Sequence, residues 1–576
     1  MPVIRSLLPA LLLLIGLPLT GCGGAPTATD PAPEEGAEQS SVPTIEDAIA
    51  HFRAGDLEAT EKTLQAVLAA DTSNSRGWSF LGQVRVQRED LDGALEAYGK
   101  AVEVNPEAYN ALFGQASVRA KKGDVDEALG TLGRLRATGK VDFSQITLDP
   151  NFTALHDDPR FQALLMGPEE FENPFVEDTT VIHEWVGEAA GDEYGWIARN
   201  IGDVDGDGVA DVTTSAPSKA IPTDDDPEGA LAGRVYAYSG KGGELLWTAS
   251  GNPGDNLGRG IEAAGDVNAD GVPDVVAGAP GANRVFVYSG RDGTVLLTLE
   301  GEDGENFGAK VSDVGDVDGD GHADLMVGAP QNDAAGTDAG RALIVSGKSG
   351  KTLVEWRGEV PGARLGASGA GAVVDGRTFL VVGAPDAGEG KRGRVYVYAG
   401  LDAEPAFVID SDAQGSEMGG MFVSVVGDVD GDGVPDIYAS DWAHHGNGPQ
   451  TGKVVVHSGA DGSELFALVG ETSGDSFGIG PADAGDVDGD GHADLIVGAW
   501  QQDNAAPAGG KVYLYSGKDQ SLLRAWTCRV MGDTFGFDAT GMGDVDGDGS
   551  IDFLLTSAWS AVSGPKSGRM FIVSGG

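Results

Sequence analysis

Residues 307–330 read FGAKVSDVGDVDGDGHADLMVGAP and contain three elements in a fixed order. A Phe-Gly pair begins the stretch, an acidic Asp-x-Asp-x-Asp-Gly-x-x-Asp segment follows, and Gly-Ala-Pro ends it. The stretch recurs along the C-terminal part of the chain and therefore defines a structural repeat. The first acidic residues of the complete copies are Asp203, Asp266, Asp316, Asp428, Asp486 and Asp544.

The interval between Asp316 and Asp428 has room for one degenerate copy, which keeps Leu365-Gly366 and Gly383-Ala384-Pro385. A second marker, a short strand that begins with Arg or Lys, independently gives seven copies. Glycine-rich turns divide each copy into about four strands, and radial repetition of four-stranded sheets is a β-propeller. The sequence therefore predicts an all-β seven-bladed propeller over residues 178–576. The marker strands are Arg234–Ser239, Arg284–Ser289, Arg341–Ser346, Arg394–Ala399, Lys453–Ser458, Lys511–Ser516 and Arg569–Ser574.

The repeat resembles the FG-GAP repeat of integrin α-subunits, and the resemblance implies the same propeller fold. The copies depart from the family pattern in several places. Tyr194, Leu257 and Leu365 replace the Phe, and we interpret Gly419-Gly420 as the Phe-Gly counterpart of the fifth copy.

The acidic segments have the composition of calcium loops. Aspartates at positions 1, 3 and 5, a backbone carbonyl at position 7 and an aspartate at position 9 supply the hard oxygen ligands that Ca²⁺ prefers, and glycine at position 6 permits the sharp turn. We expect about six structural Ca²⁺ ions. The predicted ligands are Asp203, Asp205, Asp207 and Asp211; Asp266, Asn268, Asp270 and Asp274; Asp316, Asp318, Asp320 and Asp324; Asp428, Asp430, Asp432 and Asp436; Asp486, Asp488, Asp490 and Asp494; and Asp544, Asp546, Asp548 and Asp552.

Two other interpretations of these segments are weaker. EF-hand and dockerin loops need an acidic residue at position 12, where this chain has residues such as Thr214, Val327 and Leu555. Metal-free Asp-Gly turns would cluster up to four carboxylates without a counter-ion, which is electrostatically costly. The degenerate fourth copy has Asp375 as its only carboxylate, and we expect it to bind no metal.

A different repeat occupies residues 44–166. Its period is 34 residues, which resembles the tetratricopeptide repeat and predicts an all-α domain of paired helices. The pairs Asp149-Pro150 and Asp158-Pro159 predict short capping helices. Such arrays bind peptide segments in a concave groove, and a role as a spacer is equally open. The fullest copy keeps Trp78, Leu81, Gly82, Ala94, Tyr98, Ala101 and Pro106.

The N-terminus indicates export. An apolar run from Leu7 to Leu19 is short for a membrane span, fits a signal peptide, and ends in Leu19-Thr20-Gly21-Cys22, which resembles a bacterial lipobox. We expect residues 1–21 to be a lipoprotein signal peptide, Cys22 to be lipidated and residues 22–43 to be a disordered tether. Gly23 favours the outer membrane, so the expected location is the bacterial cell envelope.

The formal charge of −52 disfavours nucleic acids and anionic membranes as partners, so any membrane association would depend on the lipid anchor. The leading hypothesis is a non-enzymatic binding, adhesion or scaffold protein whose propeller recognises a protein or glycan. The alternatives are a polysaccharide-acting propeller enzyme and a quinoprotein-like dehydrogenase, although no catalytic residues stand out. In the last three copies Trp442, Trp500 and Trp559 replace the Pro of Gly-Ala-Pro, and adjacent exposed aromatics predict a ligand face.

The ends of the propeller predict how its ring closes. The last copy lacks its fourth strand, whereas residues 180–187 match the pattern of a fourth strand but lie before the first copy. We expect this segment to pair with the C-terminal strand and so remove an exposed sheet edge.

Overall fold

The computed structural model describes residues 43–222, 229–480 and 483–576. The predicted signal peptide, Cys22 and all but the last residue of the predicted tether lie outside these ranges. The chain divides into two compact units, Met1–Met166 and Gly167–Gly576. Within the described ranges, no helix is both long enough and apolar enough to cross a membrane.

The first unit consists of three consecutive helix pairs followed by short capping elements, as the repeat predicts. Side chains at several helix starts accept hydrogen bonds from the first-turn amides, for example Asp56 from Ala59 (2.9 Å) and Asn74 from Gly77 (2.8 Å). The helices are α1 Ile45–Arg53, α2 Leu57–Ala70, α3 Ser75–Gln87, α4 Leu91–Val104, α5 Tyr109–Lys122, α6 Val125–Thr138 and α7 Pro159–Gln162, with 3-10 turns at Ile146–Leu148 and Pro150–Leu155. A further 3-10 turn at Pro168–Glu170 belongs to the second unit.

Tyr98 explains the spacing of two glycines in these helices. Its ring is buried against the backbones of α3 and α5, where a Cβ on Gly82 or Gly114 would lie 2.5 or 2.4 Å from ring atoms. Both positions therefore need glycine for the helices to pack this closely on Tyr98.

The second unit is a seven-bladed propeller, as predicted. Each blade is a four-stranded sheet, and the first strands of neighbouring blades lie next to one another around the axis. Blades 1 to 7 have the strand orders β2-β3-β6-β7, β8-β9-β10-β11, β12-β13-β14-β15, β16-β17-β18-β19, β20-β21-β22-β23, β24/β25-β26-β27-β28 and β29-β30-β31-β1. The strands are β1 Val181–Val186, β2 Ala198–Asn200, β3 Val212–Ala216, β4 Ala220–Ile221, β5 Ala230–Leu231, β6 Arg234–Tyr238, β7 Leu245–Ser250, β8 Ile261–Gly265, β9 Asp274–Ala279, β10 Arg284–Tyr288, β11 Val295–Glu300, β12 Lys310–Gly315, β13 Asp324–Ala329, β14 Arg341–Val345, β15 Thr352–Arg357, β16 Ser368–Val374, β17 Arg377–Ala384, β18 Arg394–Ala399, β19 Phe407–Asp410, β20 Val423–Val426, β21 Asp436–Asp441, β22 Lys453–His457, β23 Glu464–Val469, β24 Phe477–Ile479, β25 Asp483–Gly485, β26 Asp494–Ala499, β27 Lys511–Tyr515, β28 Leu522–Thr527, β29 Ala539–Gly543, β30 Asp552–Ser557 and β31 Arg569–Val573.

The second strand of each blade is the centre of its core. In β9, β13 and β26, for example, every residue is buried, because both faces of the sheet are covered by neighbouring blades. This burial explains why these segments are continuous apolar runs rather than alternating ones. The ring closes as predicted: β1 pairs antiparallel with β31, with Val186 opposite Arg569 and Glu184 opposite Phe571.

The structure places the fifth Phe-Gly counterpart one residue earlier than predicted. Met418, not Gly419, forms the bridge to the preceding blade that Leu365 forms in blade 4. Gly419 has the positive φ (71°) of the motif glycine, and its N–H donates to Ser440 O (2.9 Å) as the N–H of Gly308 does to Gly328 O. The assignment to Gly419-Gly420 is therefore wrong, because blade 5 has one extra residue before its acidic loop.

The propeller unit begins at Gly167 rather than at residue 178. Phe175 packs edge-on against Phe535 and Phe571, with ring centroids 5.1 and 5.3 Å away. The Glu177 carboxylate accepts hydrogen bonds from the backbone N–H and the hydroxyl of Thr527 (2.6 and 2.8 Å). The segment before β1 therefore covers the seam between blades 6 and 7.

Candidate metal centres

The six complete acidic segments all connect the first and second strands of their blades, and we call them acid loops 1, 2, 3, 5, 6 and 7 after the blade. In acid loop 1, Asp203 at position 1 accepts hydrogen bonds from the amides of Gly206 (2.7 Å), Asp207 (3.0 Å) and Gly208 (2.9 Å). Gly208 at position 6 has φ 90°, a conformation that favours glycine. The backbone therefore wraps around the first aspartate.

The aspartate at position 9 anchors each acid loop to its blade. In loop 3, Asp324 is fully buried, and its Oδ2 accepts the N–H of Val317 (2.9 Å) while Oδ1 accepts the N–H of Gly347 (3.0 Å) from the next hairpin. The same two bonds recur in all six loops. The other anchors are Asp211, Asp274, Asp436, Asp494 and Asp552.

The carboxylates converge closely enough to share a cation. In five acid loops, three carboxylates each offer one oxygen within 4.8 Å of the other two. Ligands at 2.3–2.6 Å from one Ca²⁺ can be at most about 5 Å apart, so these oxygens fit a single ion. In loop 2, Asn268 replaces one aspartate. The groups are Asp203, Asp205 and Asp211; Asp316, Asp318 and Asp320; Asp428, Asp430 and Asp436; Asp486, Asp488 and Asp494; and Asp544, Asp546 and Asp548.

Burial changes the acidity of the anchors. Desolvation raises the pKa of Asp274 and Asp436 to about 6, and it also raises the pKa of Asp211, Asp324, Asp494 and Asp552. Neighbouring carboxylates raise these pKa values further, because like charges disfavour ionisation. A bound divalent cation would offset both effects. All-oxygen donors, several of them charged, suit Ca²⁺ better than a transition metal.

Blade 4 has a different connection. Its β16 and β17 pair up to Val374 and Arg377, and only Asp375 and Gly376 lie between them. Both turn residues have positive φ, 51° and 74°, as a type I′ hairpin turn requires. The backbone closes this hairpin without a cluster of carboxylates.

The predicted ligand face lies at the opposite end of the second strands. Trp500 and Trp559 are in contact, with ring centroids 4.8 Å apart, and Trp442 packs against the same cluster. Trp500 and Trp559 are only 8% and 9% exposed, whereas Trp442 is half-buried. The expectation that all three indoles are exposed is therefore wrong. Phe537 lies two residues before the first strand of blade 7, and its ring centroid is 5.4 Å from that of Trp500, so it packs beside this indole.

Sequence reasoning missed a cationic residue on this face. The Arg259 guanidinium carbon lies 3.9 Å from the centroid of the Trp196 ring, and the Arg259 side chain is exposed. Trp196 contacts Phe537 at 4.7 Å, which joins it to the tryptophan cluster. Both residues directly follow a Phe-Gly counterpart, and that position is the sequence signal that could have located them.

A charged network around the axis was also missed. Arg199 on the first strand of blade 1 pairs with Glu262 of blade 2 (2.6 Å) and with Asp538 of blade 7. Arg199 and Asp538 are buried. His444 is also buried, and its Nε2 lies 2.9 Å from Asp412 Oδ1. These contacts join neighbouring structural elements.

The comparisons with known proteins agree with this architecture. Residues 266–327 match the FG-GAP-like repeat, and residues 311–345 and 482–515 match the FG-GAP repeat. The propeller is built from FG-GAP repeats. Residues 46–101 and 81–139 match the tetratricopeptide repeat, so the helical unit is built from tetratricopeptide repeats.

Integrin α chains are among the similar proteins. Integrin alpha-4 of Xenopus laevis is 30% identical over 190 residues, which are 31% of this chain and 18% of the relative. Integrin alpha-PS2 of Drosophila melanogaster is 31% identical over 173 residues, which are 28% of this chain and 12% of the relative. Superkiller complex protein 3 of Mus musculus is 32% identical over 79 residues, 14% of this chain and 5% of the relative. The chain thus spans less than a fifth of each relative, and its two repeat types indicate protein binding in general terms.

Proposed function

We propose that this chain is a calcium-stabilised, non-enzymatic binding protein, with an FG-GAP propeller that recognises a protein or glycan and a helical repeat that engages a second partner. The observation that carries this proposal is the identical placement of the acid loops. All six connect first and second strands and are anchored by the same two hydrogen bonds. A cation held there would stiffen a hairpin, which is a structural role.

We propose that the ligand binds at the other end of the blades, around Trp196, Arg259 and Trp442. Arg259 is exposed, Trp196 and Trp442 are partly buried, and the two indoles pack against the edge of an apolar cluster. An aromatic surface beside an exposed guanidinium is a common recognition element for protein and sugar ligands. Buried Trp500 and Trp559 would support this surface from below.

The ligand face can be tested once a glycan array and a panel of purified envelope proteins have identified a ligand. Arg259→Gln and Trp442→Ala should each weaken binding about tenfold and leave the Tm within a few degrees. Arg291→Gln is the matched control, because Arg291 is an exposed arginine at the acid-loop end of the same blade. Equal losses of affinity in Arg259→Gln and Arg291→Gln would contradict the proposed face.

We also propose that the mature protein is lipid-anchored in a bacterial envelope through Cys22, facing the periplasm or the cell surface. The apolar run and Leu19-Thr20-Gly21-Cys22 support this location. Labelling cells with a radioactive fatty acid should mark the wild-type protein but not Cys22→Ser. Equal labelling of both proteins would exclude lipidation at Cys22.

A further inference from the structure

The acid loops differ in how they contact their neighbours around the ring. His322 occupies position 7 of acid loop 3, and its Nδ1 lies 2.7 Å from the carbonyl oxygen of Val267 in acid loop 2. The N–H of Ala323 donates to the carbonyl oxygen of Asp266 in the same neighbouring loop (3.0 Å). A carbonyl can only accept, so Nδ1 carries the proton. Two hydrogen bonds therefore join loops 2 and 3.

The same arrangement occurs across the ring. His492 at position 7 of acid loop 6 places its Nδ1 2.8 Å from Val429 O in loop 5. The N–H of Ala493 donates to Asp428 O at 2.8 Å. We call loops 2 and 3, and loops 5 and 6, the linked loop pairs.

Among the loops that the structure describes, only loops 3 and 6 combine histidine at position 7 with alanine at position 8. Position 7 is Val209, Val272, Val434 or Ser550 in the other four loops. Valine has no donor, and prolines at position 8 of loops 2 and 5 have no N–H. Close packing accompanies the links: a Cβ on Gly265 would lie 2.7 Å from Ala323 Cβ, and one on Gly427 would lie 2.6 Å from Ala493 Cβ.

Each link connects groups that would hold two different cations. In loop 2, Asp266 is a predicted ligand, and the N–H of Val267 donates to the anchoring carboxylate of Asp274 (3.0 Å). In loop 3, the backbone carbonyl of His322 stands at position 7, where a carbonyl ligand is expected. Ordering of loop 3 around a cation would fix the His322 side chain and, through it, the Val267 peptide and Asp274.

We propose that His322 and His492 are positioning residues that couple Ca²⁺ binding within the linked loop pairs, so that the six sites behave as two coupled pairs and two independent sites. This proposal rests on the calcium binding proposed above. The coupling is reciprocal, because a residue that transmits order from loop 3 to loop 2 also transmits it back. It is positive, because each cation preorganises the neighbouring loop.

The first test needs no metal. His322→Val gives loop 3 the position-7 residue of loops 1, 2 and 5. In the metal-free protein this variant should speed amide hydrogen exchange in residues 266–274 about fivefold, which is the factor expected for the loss of one hydrogen bond. Exchange in residues 428–436 should not change. His492→Val should give the reverse pattern, which provides a second variant if the first folds poorly. Unchanged exchange in both neighbouring loops would overturn the link.

The second test measures the coupling by a double-mutant cycle. Asp270→Ala disables loop 2, Asp320→Ala disables loop 3, and the readout is the rise in Tm caused by calcium. In the wild-type background, the double variant should lose less of the calcium-dependent rise in Tm than the two single variants lose together. In the His322→Val background, the losses of the two single variants should add up to that of the double variant. Asp207→Ala combined with Asp270→Ala is the control pair, because loops 1 and 2 lack the histidine link, and its losses should add.

The outcomes separate the two proposals. Additive losses for Asp270→Ala and Asp320→Ala in the wild-type background would overturn the coupling but leave calcium binding intact. Non-additive losses that persist in His322→Val would overturn the role of the imidazole. If calcium raises the Tm equally in the wild type and in all single variants, the calcium proposal itself fails, and the coupling fails with it.

Discussion

Blades 3 and 4 are neighbours, but their first and second strands are connected by different kinds of loop. In blade 4, Asp375 and Gly376 alone link the first two strands through a two-residue turn. In blade 3, residues 316–323 intervene between the last paired residues, Gly315 and Asp324, and this stretch holds three further aspartates. A propeller hairpin therefore does not need an acid loop to connect its first two strands. The proposed bound cation would account for the clustered carboxylates of the other six blades.

Removing calcium with a chelator should have the largest effect on the stability of the propeller. A site saturated at one hundred times its Kd stabilises the folded state by about 2.7 kcal/mol, which corresponds to about 3 °C in Tm for a unit of this size. Removing calcium from six sites should therefore lower the Tm of the propeller by about 15 °C or more. Differential scanning calorimetry with and without a chelator measures this effect, with the helical unit as the internal reference. A propeller transition that does not move would contradict the account.

Exchanging the two connections should have a smaller effect. Replacing residues 316–323 with the Asp-Gly turn of blade 4 should remove one calcium equivalent and reduce the calcium-dependent rise in Tm by about 3 °C. The Tm of the metal-free protein should change little, because the removal of carboxylate repulsion offsets the loss of the two hydrogen bonds from His322 and Ala323 to loop 2. Asp375→Asn is the control and should leave the calcium-dependent rise unchanged. A metal-free protein destabilised by the exchange would show that the acid loop stabilises blade 3 without an ion.

Lowering the pH should have the smallest effect on the calcium-dependent rise in Tm. In the metal-free protein, burial raises the pKa of Asp274 and Asp436 to about 6. These groups bind protons more tightly folded than unfolded, so the stability they contribute is present at low pH and is lost as the pH rises through about 6. Calcium needs the ionised carboxylates, so the calcium-dependent rise in Tm should shrink between pH 7.5 and pH 5.5. A rise that is constant over this range would show that protons and calcium do not compete.

The repeat made much of this architecture predictable. Seven copies of two independent markers determined the number of blades, and the strand missing after Arg569–Ser574 identified β1 as its partner. The positions of the acid loops were also predictable, because each loop is a local turn whose ligands are close in sequence. Local hydrogen bonds such as those around Asp203 depend on a few consecutive residues only.

Features that depend on neighbouring blades were not predictable. The burial of Trp500 depends on Phe537, which belongs to another blade, and the sequence pattern of neither blade shows the contact. The His322 link joins residues 55 positions apart in sequence, and its partner is a backbone carbonyl that any residue could supply. Met418 was overlooked because it replaces an aromatic residue and because an extra residue shifts the spacing to Asp428.

The central claim is that the acid loops, and not the blade 4 hairpin, hold calcium. The most direct test is to dialyse the full chain against micromolar calcium, count the bound ions by elemental analysis, and repeat the count after disabling one loop with Asp320→Ala. The account predicts about six equivalents in the wild type, at least one fewer in Asp320→Ala, and no change in Asp375→Asn. A wild-type protein that retains no calcium, or a loss in Asp375→Asn equal to that in Asp320→Ala, would contradict it.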